Sequence, residues 1–135
     1  MLVTLATAGF CGLILFVLSL RVSQARGMAR VSIGDGGDPL LIARMRAQAN
    51  FTEFVPIILI MFGLIEVNLV PGGVGQLLLG ITGILLVVVR IAHAMGMVTV
   101  TPPLSRKIGA GGTFLILLGT SIAALVLSAR LHGLF

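Results

Sequence analysis

Four long apolar stretches constrain the fold of this chain more than any other feature of its sequence. They cover residues 2–20, 51–70, 74–92 and 113–129. Because about 20 apolar residues in an α-helix cross a hydrocarbon core of about 30 Å, each stretch predicts a transmembrane helix. The sequence therefore predicts one all-α membrane domain over residues 1–135, a four-helix transmembrane bundle. Its helices are expected at about 2–22, 45–69, 74–98 and 110–131.

Composition favours an integral membrane protein over a soluble one. Of the 135 residues, 58% are hydrophobic and only 10% are charged, against roughly 45–50% and 25% in soluble domains. The formal net charge of +5 comes from basic residues that flank the apolar stretches, which argues against a nucleic-acid partner. No basic residue precedes the first stretch, so we expect a retained helix and not a cleaved signal peptide.

The basic residues also predict an orientation in the membrane. Segment 21–46 holds five arginines and segment 98–110 holds one arginine and one lysine, whereas the connection between the second and third stretches holds neither. Because Lys and Arg are enriched in cytoplasmic loops, both basic segments are predicted to be cytoplasmic and both termini to lie away from the cytoplasm. The turn-rich sequence "SIGDGGDP" predicts a flexible cytoplasmic loop within a long first connection.

Polar residues at the start of the second helix and at the end of the third are predicted to lie at one depth. On each helix their spacing puts them on one face: Arg46, Asn50 and Glu53 on the second, and Arg90, His93 and Met97 on the third. Ionisable groups at membrane depth are costly, so they are usually paired or functional. One alternative is a simple ion pair between Glu53 and Arg90. The other is a pocket whose excess of donors suits an anionic or zwitterionic ligand.

Other residues inside the apolar stretches have simpler interpretations. Cys11 is expected to be a small buried hydrophobe, since no CxxC or Cys/His spacing accompanies it and no metal site is expected. Glu66 is expected to be solvated at the outer interface, and Arg106 is by default a cytoplasmic anchor. The pattern Gly119-xxx-Ala123 permits close contact between helices.

Three motifs resemble those of the MAPEG superfamily, the membrane-associated proteins in eicosanoid and glutathione metabolism. The segment "RAQANFTEF" (46–54) resembles the family pattern Arg-Ala-x-x-Asn-x-x-Glu at the start of its second helix. The segment "RIAHAMGM" (90–97) resembles Arg-x-x-His-x-x-x-Tyr on the third helix, and "SLRVSQARGMARVS" (19–32) resembles the end of the first. The resemblance covers nearly the whole chain and implies a bacterial member located in the inner membrane.

The resemblance also implies an assembly and a ligand. Members of this family are four-helix bundles that form homotrimers and bind glutathione, as co-substrate, between neighbouring subunits near the cytoplasmic side. By motif match, the glutathione-binding residues would be Arg26, Arg46, Gln48, Asn50, Glu53, Arg90 and His93. In such a site the arginines hold the carboxylates of glutathione and Glu53 holds its amino group.

The chemistry that the resemblance implies runs through the glutathione thiolate. A free thiol has a pKa of about 8.5, so a neighbouring arginine would raise the reactive fraction at neutral pH. Catalytic members use an arginine after the third helix, and Arg106 is the candidate here. The chain contains no Tyr, so Phe54 and Met97 stand where the family has ligand-binding tyrosines. Each lost hydrogen bond to a charged ligand costs about 1.5–3 kcal/mol.

Three functional classes are open at this point. The leading one is a glutathione transferase or glutathione-dependent peroxidase, acting on lipophilic electrophiles or lipid hydroperoxides that arrive through the bilayer. The second is a non-catalytic scaffold or lipid-binding subunit of the same fold, which the missing tyrosines favour. The third is a small proton-coupled exporter, which needs a carboxylate well inside a helix, whereas Glu53 is shallow and the first apolar stretch holds no charge.

Overall fold

The chain folds into four α-helices and has no strand in the part that the structure describes. The computed structural model describes residues 1–97 and 103–133. The helices are α1 (Leu2–Ala29), α2 (Pro39–Glu66), α3 (Val74–Gly96) and α4 (Leu104–Leu131). Each is long and apolar enough to cross a membrane, with a mean hydropathy between 1.6 and 2.3 over its most apolar window. The predicted all-α fold with four transmembrane helices is confirmed.

Three of the helices are longer than a bilayer requires. Helices α1, α2 and α4 have 28 residues each, or about 42 Å at 1.5 Å per residue, against a hydrocarbon core of about 30 Å. Helix α1 continues beyond residue 22 and α2 begins before residue 45, because a charged residue ends an apolar stretch without ending a helix. The predicted end of α3 at residue 98 lies outside the described residues.

The connection between α1 and α2 is short, since it covers only residues 30–38. Arg30 ends α1 in the left-handed conformation, with φ at 54°, and the N–H of Val31 bonds back to the carbonyl of Arg26 at 3.0 Å. This is a Schellman-type helix end. Asp38 begins α2, because its Oδ1 accepts a hydrogen bond from the N–H of Leu41 at 2.7 Å. The long first loop expected from the sequence is thus mostly helix.

A small apolar cluster joins the ends of α1 and α2 that extend beyond the bilayer. Val22 and Ala25 of α1 and Leu41 of α2 are buried there, with Val31 and Met45 packed against them. This cluster is separate from the main core. It makes the last turns of α1 and the first turns of α2 one packed helical hairpin.

The main core lies inside the membrane-spanning part of the bundle. Helix α2 contributes a buried stripe with helical spacing: Phe51, Val55, Ile58 and Phe62. Leu86 of α3 and Cys11 of α1 pack in the same core, so Cys11 is a buried residue as expected. Many large apolar side chains on the outer surface are exposed, which suits helices that face lipid.

Helix α4 begins at Leu104 and not at residue 110, so the sequence "GAGG" (109–112) lies inside the helix. Its glycines do not break the helix; they allow α4 to approach α3. A methyl group on Gly109 would lie 2.6 Å from Cβ of His93, and one on Gly112 would lie 2.6 Å from Cγ1 of Val89. By contrast, no other atom lies within 4 Å of a methyl group placed on Gly119, so the close contact expected there is not made within this chain.

The expectation that Glu66 is solvated is wrong, because its side chain caps the start of α1. Glu66 is 5% exposed. Its Oε1 accepts a hydrogen bond from the N–H of Val3 at 2.9 Å, and its Oε2 accepts from the N–H and the hydroxyl of Thr4 at 2.8 and 2.6 Å. The amino group of Met1 lies 3.6 Å from Oε1. The first N–H groups of a helix have no partner within the helix and attract negative charge, so the end of α2 satisfies the start of α1.

Candidate functional site

A buried arginine connects three of the four helices. Arg90 of α3 is 1% exposed. Its Nη1 donates to Oδ1 of Asn50 on α2 at 2.9 Å and lies 3.4 Å from the hydroxyl oxygen of Thr113 on α4. Its guanidinium carbon lies 5.1 Å from the ring centre of Phe51, a distance at which a cation–π contact is attractive. The charge of Arg90 is therefore held by neutral polar groups and one aromatic ring.

Helix lengths explain why Arg90 meets Asn50. Asn50 lies about 24 Å along α2 from Glu66, and Arg90 lies about 24 Å along α3 from Val74, at 1.5 Å per residue. The short connection between α2 and α3 sets those two ends at one level. The predicted common depth is confirmed for Asn50 and Arg90.

The alternative of a Glu53–Arg90 ion pair is wrong. Among the described residues Arg90 has no carboxylate within ion-pair distance, and its Nε has no hydrogen-bond partner. Asn50 takes the place that Glu53 was expected to take. The two positions differ by about 60° around α2. Asn50 is half-buried and Glu53 is exposed, so Asn50 lies nearer the bundle interior.

His93 and Met97 continue the buried stripe of α3 towards its end. His93 is 4% exposed and Met97 is 8% exposed. His93 packs against Gly109 of α4, and its Nδ1 has no hydrogen-bond partner among the described residues. In this chain His93 therefore lies in the contact between α3 and α4. It is not shown to contact the polar residues of α2.

Arg46 and Glu53 lie on the outside of the bundle. Both are exposed, and neither side chain makes a hydrogen bond or ion pair with another described residue. They stand seven residues apart, which places them within about 20° of each other around α2 and about 10 Å apart along it. Helix α2 thus presents one positive and one negative group on a single open face, with Asn50 at its edge.

Gln48 and Arg26 are engaged in contacts on other sides of the bundle. Nε2 of Gln48 donates to the hydroxyl of Ser19 on α1 at 2.8 Å. Nη1 of Arg26 donates to the carbonyl of Gly34 at 2.7 Å, and its Nη2 lies 3.7 Å from the sulfur of Met45. Arg26 therefore holds the connection between α1 and α2. The structure does not bring Arg26 or Gln48 to Arg46 and Glu53.

Arg106 lies in the first turn of α4, where this helix packs against the end of α3. A methyl group on Gly96 would lie 2.7 Å from Cβ of Arg106, so these two residues are opposite each other. Arg106 is about 10 Å along α4 from Thr113, at 1.5 Å per residue. It is thus closer to the membrane surface than Arg90. Residues 101 and 102 of "TPPLSRK", which precede Arg106, lie outside the described residues.

Two residues of these polar contacts were missed by sequence reasoning. Thr113 was treated only as the start of an apolar stretch, yet it is fully buried and its hydroxyl donates to the carbonyl of Gly109 at 2.7 Å, which leaves its oxygen free to accept from Arg90. Glu66 was placed in solvent. The sequence did contain a signal for Thr113. If "GAGG" is helical, Thr113 lies four residues after Gly109 and so on the same face of α4, which packs against α3.

Of three comparisons with known proteins, one returns a match. The model of the MAPEG family matches residues 4–126 of the chain. Searches of curated proteins and of solved structures return no match. The family match spans all four helices and the polar contact between α2 and α3. This chain is therefore a membrane protein that belongs to the MAPEG family.

Proposed function

We propose that this protein binds glutathione on the open face of α2 and uses its thiol on a lipophilic second substrate. The reaction is either conjugation to an electrophile or reduction of a lipid hydroperoxide. The observation that carries the proposal is the pair of exposed, unpaired and opposite charges, Arg46 and Glu53, on one helix face. Family membership supports the same ligand class.

The depth of Glu53 argues that this face is covered in the membrane. Glu53 lies about 20 Å along α2 from Glu66, so it falls inside a hydrocarbon core of about 30 Å. An ionised carboxylate that faces lipid is strongly disfavoured and normally faces protein or water. A neighbouring copy of the chain would remove Glu53 from lipid. We therefore include a homotrimer in the proposal, with the ligand between subunits.

The arrangement suits a zwitterion such as glutathione. Arg46 can form a bidentate pair of hydrogen bonds with a carboxylate, and Glu53 can accept hydrogen bonds from an ammonium group. Asn50 stands between them, and Arg90 fixes its side-chain oxygen, which leaves the amide N–H groups of Asn50 free to donate to a ligand. In this arrangement Arg90 supports the site through Asn50 from inside the core.

Arg106 is the proposed thiolate-stabilising residue. Arg106 lies in the first turn of α4, where unpaired backbone N–H groups and the helix dipole also favour negative charge. A thiolate placed there would be stabilised relative to the thiol, which raises its reactive fraction at neutral pH. In this proposal His93 and Gln48 support the site indirectly, through their contacts with α4 and α1. Arg26 does so by holding the connection between α1 and α2.

A second candidate function, a non-catalytic member of the same fold, is favoured by two packing contacts. The ring of Phe54 packs edge-on against Phe114 at 5.3 Å, and Met97 is buried. Both positions correspond to ligand-binding tyrosines in the family pattern, and both side chains are occupied in packing here. The exporter is less favoured, because Glu66 is committed to capping α1 and Glu53 is on the outer face.

The test is calorimetric titration of glutathione into the detergent-purified full chain. We expect binding by the wild type and a loss of about ten- to a hundredfold in affinity for Arg46→Gln and for Glu53→Gln, the cost of one hydrogen bond to a charged group. Arg130→Gln, which removes an exposed charge near the other end of α4, is the matched control and should leave the affinity unchanged.

Catalysis is tested separately with a chromogenic electrophile. Turnover that is lost in Arg106→Ala, with glutathione affinity retained, would support the enzyme. Glutathione binding without turnover by the wild type would favour the non-catalytic candidate. No binding at millimolar glutathione would contradict the proposed ligand itself.

A further inference from the structure

A groove that neither the polar contacts nor the proposed glutathione face uses runs between α1 and α3 on the outer surface of the bundle. Leu13 and Val17 of α1 and Ile91 and Met95 of α3 line it, and Arg21 closes one end. The groove has a volume of about 250 Å³. Leu13 and Met95 are each 64% exposed, so the groove is open along its length. Its walls are apolar and its end is cationic.

The cationic end lies at the depth of lipid headgroups. The uncharged part of α1 before Arg21 covers about 28 Å, at 1.5 Å per residue, which is close to the thickness of the hydrocarbon core. Arg21 is therefore the first charged group that a lipid in this groove would meet. By the excess of basic residues, this end of the bundle is the cytoplasmic one.

A second arginine lies beside Arg21. Nη1 of Arg44 on α2 donates to the backbone carbonyl of Arg21 at 2.9 Å, and both arginines line a narrow cleft that adjoins the groove at Ala94. Nε of Arg44 is buried and has no hydrogen-bond partner among the described residues. The side chain of Arg21 forms no ion pair within the described part of the chain. Two arginines thus line this cleft, and neither forms an ion pair among the described residues.

We propose that this groove binds an anionic phospholipid, with an acyl chain between α1 and α3 and the phosphate at Arg21 and Arg44. Guanidinium groups form bidentate hydrogen bonds with phosphate oxygens. Basic pockets between transmembrane helices on the cytoplasmic side bind anionic lipid headgroups. The site is distinct from the proposed glutathione face, because Arg44 and Arg46 point about 160° apart around α2. It holds or fails independently of glutathione binding.

Native mass spectrometry of the detergent-purified full chain tests the proposal with two probes that share their acyl chains, dioleoyl phosphatidylglycerol and dioleoyl phosphatidylcholine. We expect the wild type to bind the anionic lipid more tightly and Arg21→Gln to weaken that binding about fivefold, the contribution of one arginine near the membrane surface. Arg21→Gln keeps the backbone carbonyl that Arg44 contacts. Arg21→Lys keeps the charge and should retain most of the preference.

Lys107→Gln is the matched control, because it removes one exposed positive charge from the same end of the bundle without touching the groove. Equal losses in Arg21→Gln and Lys107→Gln would overturn the proposal in favour of diffuse surface charge. Val17→Trp should fill the groove and weaken binding of both lipids, and unchanged binding would also overturn it. Glycerol phosphate that binds as well as the intact lipid would show a site for free phosphate, which contradicts the proposed occupant.

Discussion

At the scale of single residues, buried polar groups connect the helices of this bundle. Arg90 joins α3 to α2 and α4, and Glu66 joins the end of α2 to the start of α1. Both side chains are buried, so an unsatisfied partner would be costly. These contacts fix how the helices meet more specifically than apolar packing does, because hydrogen bonds require particular atoms at particular distances.

Glu66→Gln should lower the stability of the bundle. Both carboxylate oxygens of Glu66 accept hydrogen bonds from α1, and an amide would replace one of them with a donor that faces other donors. We expect a loss of about 1–3 kcal/mol in the free energy of unfolding, measured by denaturant titration in detergent. Glu53→Gln, the same change at an exposed position of the same helix that makes no such hydrogen bonds, should cost less. Equal effects of the two changes would contradict the capping role of Glu66.

The sequence predicted part of this residue-scale arrangement. Helical spacing and the short connection between α2 and α3 placed Asn50 and Arg90 at one depth, and their hydrogen bond bears this out. Spacing could not tell which side of the polar stripe faces inwards, since Asn50 and Glu53 differ by only about 60° around the helix. Glu66 was misjudged because two of its hydrogen bonds come from backbone N–H groups, which every sequence has and no residue type marks.

At the scale of helices, α3 and α4 pack through glycines in a regular antiparallel register. Arg106 lies opposite Gly96, Gly109 opposite His93, and Gly112 opposite Val89. Small residues allow backbones in a membrane to approach and gain van der Waals contact. This register places Thr113 beside Arg90, so the polar contact in the core depends on the glycines that precede it.

Gly109→Ala should separate α3 from α4, whereas Gly111→Ala should not. A methyl group on Gly109 would lie 2.6 Å from the backbone nitrogen of His93, while Gly111 has no other atom within 4 Å of that position. We expect Gly109→Ala to cost about 1–3 kcal/mol of stability through overpacking. Gly111→Ala should be neutral or stabilising by up to about 1 kcal/mol from helix propensity. Thermal unfolding in detergent measures both, and a neutral Gly109→Ala would contradict the close register.

The number and order of the helices followed from apolar length alone, but their ends did not. Hydropathy reports where the bilayer begins and ends, and α1 and α2 continue into water beyond it. Better signals were Asp38 followed by Pro39, a capping residue and a residue that favours the first helical position. The sequence "GAGG" would be read as a helix breaker in a soluble protein. In this membrane helix its glycines Gly109 and Gly112 form the contact with α3.

At the scale of the whole molecule, the distribution of charge predicts one orientation. We expect Ser32→Cys to face the cytoplasm and Asn68→Cys to face the other side, each placed in a Cys11→Ala background that removes the native thiol. Both positions are exposed in loops. A membrane-impermeant maleimide should label Asn68→Cys in intact cells and Ser32→Cys only after the membrane is opened. The reverse pattern would contradict the proposed location of the glutathione and phospholipid sites.

The two apolar clusters respond to different solvents. The main core is surrounded by lipid, so water contributes little to holding its helices together, whereas the cluster of Val22, Ala25 and Leu41 lies beyond the hydrocarbon and owes its stability to the hydrophobic effect. That effect weakens on cooling and in urea. We therefore expect the hairpin formed by the end of α1 and the start of α2 to respond to solvent as a small soluble domain does. It can loosen in the cold or in mild denaturant while the spanning helices stay assembled.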